Sequence, residues 1–174
     1  LDAAAALDAA ERGRYDFIMA DISKLAARVS DECLIHRVRQ TSRLVSRVYD
    51  EALRPLGLQV SQFHLLVAIA RGGDQGMPMH ALADALVMDR TTFTRSVVPL
   101  ERAGWVAVAR DPDDGRSRRV LLTREGERLM TKAFPLWESA QRSIESSLGA
   151  AAAKQLHAKL SAVVAMRASL EPEA

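Results

Sequence analysis

The 174-residue chain contains one cysteine, Cys33, so no internal disulfide framework is available. A lone thiol fits a reducing compartment, and a cytoplasmic location is expected. Aromatic residues are scarce, at 5%. No apolar run is long enough to cross a bilayer, because the longest uncharged stretch, Pro55 to Ala70, is interrupted by Gly57, Gln59, Ser61 and Gln62. The first thirty residues scatter charges through any apolar block, so no secretory signal is expected. His36, His64, His80 and His157 have no ligand-like spacing and no second cysteine joins them, which argues against a metal site. Gly72-Gly73-Asp74-Gln75-Gly76 lacks the preceding strand and spacing of a phosphate loop and reads as a surface turn. No nucleophile is paired with a base and no cofactor loop is present, so an enzyme is not expected, nor is a cofactor.

Apolar residues at 48% and charged residues at 26% describe a folded chain with a core. Net charge is only +2, but its distribution is uneven. Residues 1–34 are net acidic, whereas 35–56 and 89–119 are net basic. Twenty of the 24 basic residues are arginine, including all seven within 89–119. Arginine suits forked contacts to phosphate and base edges, although the bias runs through the whole chain.

Helical periodicity dominates. Ile18, Ile22, Leu25 and Val29 form one apolar stripe; Leu34, Val38, Thr41, Val45, Val48 and Ala52 form a second, stopped by Pro55 and Gly57. A third helix is predicted from about Ser61 to Gly72. Pro78 is placed to open a short helix through Leu82 and Leu86. Asp89 reads as the N-cap of a helix from Arg90 to about Ala103, with Gly104 as its stop and Pro99 bending it. Residues 105–109 and 119–122 read as two strands of a hairpin turning at 111–115. Thr123 caps the next helix, bent at Pro135, with its stripe at Leu129, Ala133, Trp137, Ala140, Ile144 and Leu148. Gly149 separates it from a last helix carrying Leu156, Leu160, Val163, Val164 and Leu170.

Two short helices across a tight break, followed by a hairpin, is the order of a winged helix-turn-helix. The fold class is mainly α with a small β-wing. Arg90, Thr91, Thr92, Thr94 and Arg95 crowd the first turns of the second helix, where groove-facing residues belong. A solvated capped helix is the plainer reading, but three exposed threonines are poor helix formers. The hairpin adds Arg116, Arg118 and Arg119 beside a tight turn. An arginine on such a ribbon suits the narrow, electronegative minor groove, with Asp114 placed to orient it. Charges that block edge pairing are the alternative.

The segment Asp111-Pro112-x-Asp114-x-Arg116-x-x-x-Val120-x-Leu122-Thr123 resembles the wing signature of the MarR (multiple antibiotic resistance regulator) transcription factors. Leu82-Ala83-x-x-Leu86-x-Met88-Asp89-Arg90-Thr91-Thr92-x-Thr94-Arg95 and Leu100-Glu101-Arg102-x-Gly104 are similar to its helix-turn-helix. The resemblance spans about residues 34–170. It implies a homodimer binding a pseudo-palindromic operator in double-stranded DNA, with Arg116 in the minor groove and a repressor role. It also implies four segments: an N-terminal helical extension (1–33), a dimerisation helix (34–58), the winged region (59–123) and C-terminal dimerisation helices (124–174). One departure is Val87, where many members carry a small residue such as glycine. A β-branched side chain disfavours positive φ, so a different turn geometry is expected.

The resemblance further implies a small effector, often aromatic or phenolic, for which His36, Arg43, Tyr49, His64 and Trp105 are candidate lining residues. The urate-responsive branch carries an acidic residue at the His64 position, which argues against urate. Redox sensing through Cys33 is the alternative, but it lies about two residues earlier than the sensing thiol of one-cysteine peroxide sensors. Two helical residues turn a side chain by roughly 200°, and a buried inert thiol is expected instead. A helical module binding protein rather than DNA is the remaining class.

Overall fold

The computed structural model describes residues 9–111, 115 and 117–167. The chain divides into two compact units, Leu1–Val45 and Ser46–Ala174. The first contains helix α1 (Ala9–Glu32) and most of α2 (Leu34–Leu53), separated only at Cys33. The chain stays nearly helical across that point: Cys33 donates its N–H to Val29 and accepts from Arg37. Cys33 is half-buried rather than buried, because this break has no apolar core around it.

The second unit is ordered α3 (Val60–Ala70), β1 (Met77–Pro78), α4 (Met79–Ala85), α5 (Arg90–Arg102), β2 (Val106–Arg110), β3 (Arg118–Leu122), α6 (Arg124–Leu148) and α7 (Ala150–Ala165). Leu170, assigned to the last helix by its periodicity, lies outside the described residues. Helix α3 starts with a reciprocal Gln59–Gln62 box. The Asp50 carboxylate adds a further acceptor for the Val60 N–H at 2.7 Å. Leu53, Leu66, Ile69, Leu82, Phe93, Val97, Leu100 and Val120 form the fully buried centre. Burying side chains of this size contributes about 1.5–3 kcal/mol each, before the entropy of ordering them.

Two helix ends share one hydrogen-bond pattern. After α5, Gly104 donates to Glu101 and Trp105 donates to Leu100, with Gly104 at φ 74°. After α4, Val87 donates to Asp84 and Met88 to Ala83, closing the same motif with valine in the left-handed position at φ 54°. The departure expected at Val87 is therefore absent. The two backbone bonds and the capped helix that follows hold the turn, and the valine takes the strain. Neither Pro99 nor Pro135 ends its helix. Both are exposed, so the bonds that they cannot donate leave polar groups facing solvent.

The predicted hairpin is present, with Val106 opposite Leu122 and Arg110 opposite Arg118. A third strand accompanies it. Met77 and Pro78 pair antiparallel with Val120 and Arg119, giving the order β1-β3-β2. Pro78 therefore ends a strand and caps α4 rather than opening the helix. A two-residue strand has no detectable period, and proline is tolerated there at an edge.

Candidate nucleic-acid interface

Asp89 begins the site. Its carboxylate accepts the Thr92 N–H at 2.8 Å and sets the start of α5. The hydrogen bonds from Thr92 hold the Asp89 carboxyl below its usual value. From that start, Phe93, Val97 and Leu100 turn inward and are buried, and Val98 is partly buried. Arg90, Thr91, Thr92, Thr94 and Arg95 are all exposed. The Thr94 hydroxyl donates to the Arg90 carbonyl at 2.8 Å, and Ser96 bonds back to Thr92 in the same way. Each hydroxyl donor is thus spent within the helix, while the oxygen lone pairs stay available as acceptors.

The wing is anchored at its base. Asp111 is buried and pairs with Arg119 through Oδ2 and Nε at 3.3 Å. The Asp111 N–H donates to the Ser117 carbonyl, extending the ladder one step beyond the paired strands. Arg119 is mostly covered, whereas Arg118 and Arg110, opposite each other across the hairpin, are exposed. Three arginines near the tip are therefore not equivalent. Alternation places Arg118 on the face of the buried Val120 but beyond the edge of the core, whereas Arg119 lies on the opposite face and is covered through its pairing with Asp111. Asp114 and Arg116 lie outside the described residues.

At the opposite end of the wing, Thr123 accepts from Gly126 N–H at 3.1 Å and donates to the Gly104 carbonyl at 2.6 Å. A Cβ on Gly126 would collide with the Trp105 carbonyl. Absence of a side chain there lets α6 start directly against the strand exit, so wing and recognition helix share one rigid base.

A groove of about 410 Å³ runs between the start of α4, the start of α5 and β3. It is lined by Met79, His80, Arg90, Phe93, Thr94, Ser117 and Arg118. Tertiary structure thus brings Arg90 and Thr94 to the same groove as Arg118, while Thr91, Thr92 and Arg95 are exposed outside it. Sequence reasoning missed His80, Ser117, Arg110 and the Asp111–Arg119 pair. The hairpin register could have supplied Arg110, since it faces Arg118. Nothing local announces His80.

Tyr49 donates its phenolic O–H to Gln141 Oε1, and Gln141 in turn donates to Glu145 at 2.7 Å. Partial burial, helped by the Glu145 charge, raises the Tyr49 pKa above 10.0. His64 is exposed by area, yet its ring sits 6.3 Å from that of Phe63, and loss of hydration lowers its pKa below 6.5. Trp105 is partly buried at the edge of the core. His36 is partly buried on α2, and Arg43 is exposed there. Within the second unit, no hydrogen bond or ring contact among the described residues joins Tyr49, His64 and Trp105 to one another. No cluster of metal-binding side chains occurs among the described residues, and no described helix is long and apolar enough to cross a membrane.

Comparison with known proteins matches this geometry to regulators of transcription. A model described as the MarR family matches residues 56–117, the stretch from the end of α2 to the wing. The HTH-type transcriptional regulator YwoH of Bacillus subtilis is 35% identical over 95 residues, covering 55% of this chain and 67% of YwoH. The transcriptional activatory protein BadR of Rhodopseudomonas palustris is 33% identical over 94 residues, covering 53% of this chain and 54% of BadR. These alignments span from about half to two thirds of the relatives. Among solved structures, the M. tuberculosis transcriptional regulator MosR in complex with DNA superimposes with a TM-score of 0.66 at 33% identity, over 78% of this chain and 99% of MosR. A MarR mutant from E. coli complexed with operator DNA shares the fold, with a TM-score of 0.70 at 23% identity, over 78% of this chain and 96% of that one.

Proposed function

The chain belongs to the MarR family, and from that premise we propose that it is a ligand-responsive, DNA-binding transcriptional regulator. The observation that carries this reading is the shared groove. The cations of the recognition helix and the wing, Arg90 and Arg118, border one space together with the Thr94 acceptor. Exposed Thr91, Thr92 and Arg95 supply base-edge contacts in the major groove. Arg118, and Arg116 beside it in sequence, follow the backbone into the adjacent minor groove. The protein acts as a homodimer on a pseudo-palindromic operator, which sets two such heads one helical repeat apart. Exposed Leu34, Ile35, Val38 and Leu44 on α2, and Leu156, Leu160, Val163 and Val164 on α7, supply the apolar surface for association. A small aromatic effector, with Tyr49, His64 and Trp105 among its contacts, relieves repression in the cytoplasm. The four-segment division stated from sequence follows from this assignment.

The test is titration of operator DNA with purified protein across a salt series. Binding should weaken linearly in log salt, and Arg118→Ala should lower the slope by about one, as expected for a lost phosphate contact. Arg95→Ala should relax sequence preference by about 1–3 kcal/mol per lost base contact. Unchanged affinity and slope in both variants would overturn the assigned face.

A further inference from the structure

We propose that α1 pairs with α1 of a second copy of this chain as a short antiparallel coiled coil. This helix has few apolar neighbours of its own. Ile18, Met19, Ile22, Leu25 and Val29 are all exposed, with Ile22 at 49% and Val29 at 59%. They lie on one side of the helix. Ile22, Leu25, Ala26 and Val29, continued by Ser30 and by His36 of α2, line a concavity of about 500 Å³. An apolar stripe of this length on a charged helix is poorly solvated and calls for a cover.

Spacing and charge identify the occupant. Ile18, Ile22, Leu25 and Val29 are separated by four, three and four residues, which is the alternation of a two-helix seam. With two copies antiparallel, Ile22 of one faces Leu25 of the other, and Ile18 faces Val29, each pair occurring twice by symmetry. That register puts Met19 against Ala26 on one flank. On the other flank, Asp21 of one copy meets Arg28 of the other, again twice. Both side chains are exposed and border the stripe. Arg28 already pairs with Glu32 of its own helix at 3.3 Å, an arrangement compatible with sharing its fork across the seam. A parallel pairing would place Asp21 opposite Ala26 and Arg28 opposite Cys33, satisfying neither charge. The opposed charges therefore select antiparallel self-association. This contact involves no residue of the winged region and is independent of DNA binding.

The experiment uses the full chain carrying Cys33→Ser, with Ile18→Cys and Val29→Cys variants co-expressed under distinguishable tags. A short bismaleimide should join residue 18 of one copy to residue 29 of the other in high yield. Self-linked 18–18 and 29–29 products should be minor, because antiparallel pairing separates like positions by about 16 Å along the axis. Asp21→Arg should reduce the 18–29 product several-fold, and adding Arg28→Asp should restore it. A predominance of 18–18 product, or no 18–29 product from protein that light scattering shows to be dimeric, would overturn the proposal. Operator titration on the same samples reads the regulatory assignment separately.

Discussion

Val87 carries the clearest local conflict in the chain. A β-branched residue in the left-handed region costs roughly 1–2 kcal/mol or more relative to a relaxed backbone. Val87 is the only non-glycine residue with positive φ among the described residues, and its side chain is exposed, so little packing repays the strain. Val87→Gly should raise stability by about 0.5–1 kcal/mol, after allowing for the greater freedom of glycine in the unfolded chain. Chemical denaturation checks this, and a loss of stability would show that the valine contributes packing. Asp89, two residues on, makes a pH-dependent contribution. Hydrogen bonds from Thr92 depress its folded-state pKa below the ordinary 3.8, so the cap is fully effective above that value. Its contribution falls as pH drops below 3.8 through the folded pKa. The stability difference between wild type and Asp89→Ala should therefore be constant near neutrality and shrink in that acidic window. A gap that persists unchanged at the lowest pH would exclude a charged cap.

At the scale of elements, the wing shows how a run of like residues divides its labour. Arg118 and Arg119 are adjacent, yet one is exposed beside the recognition helix and the other is covered and paired with Asp111. Asp111→Asn keeps the shape but leaves the Arg119 guanidinium without its counter-charge, which should cost about 2–3 kcal/mol. Thermal unfolding reads that loss. Amide exchange at Asp111 and Arg110 should accelerate if it is concentrated in the hairpin, and unaltered stability would mean that the pair is dispensable. The helices themselves were largely legible from sequence. Asp89, Thr123, Gly104 and Gly149 punctuate the chain where helices start or stop, because capping acts within about four residues. The strand β1 was not legible, because its two residues owe their conformation to β3, some forty residues away.

For the molecule as a whole, one cysteine, few aromatics and a small net charge described its limits and left its partner unstated. Sequence alone determined the order of helices, the wing strands and the family, but not the left-handed geometry at Val87. These rest on periodicity, caps and glycines whose physics is local. Tertiary structure alone decided which cations share a groove and that Asp111 and Arg119 belong to the scaffold. It also gave the Tyr49 hydroxyl its acceptor, Gln141 on α6. The shared groove and the Tyr49 bond depend on residues distant along the chain meeting in space, and no local pattern encodes which of several like side chains will be covered.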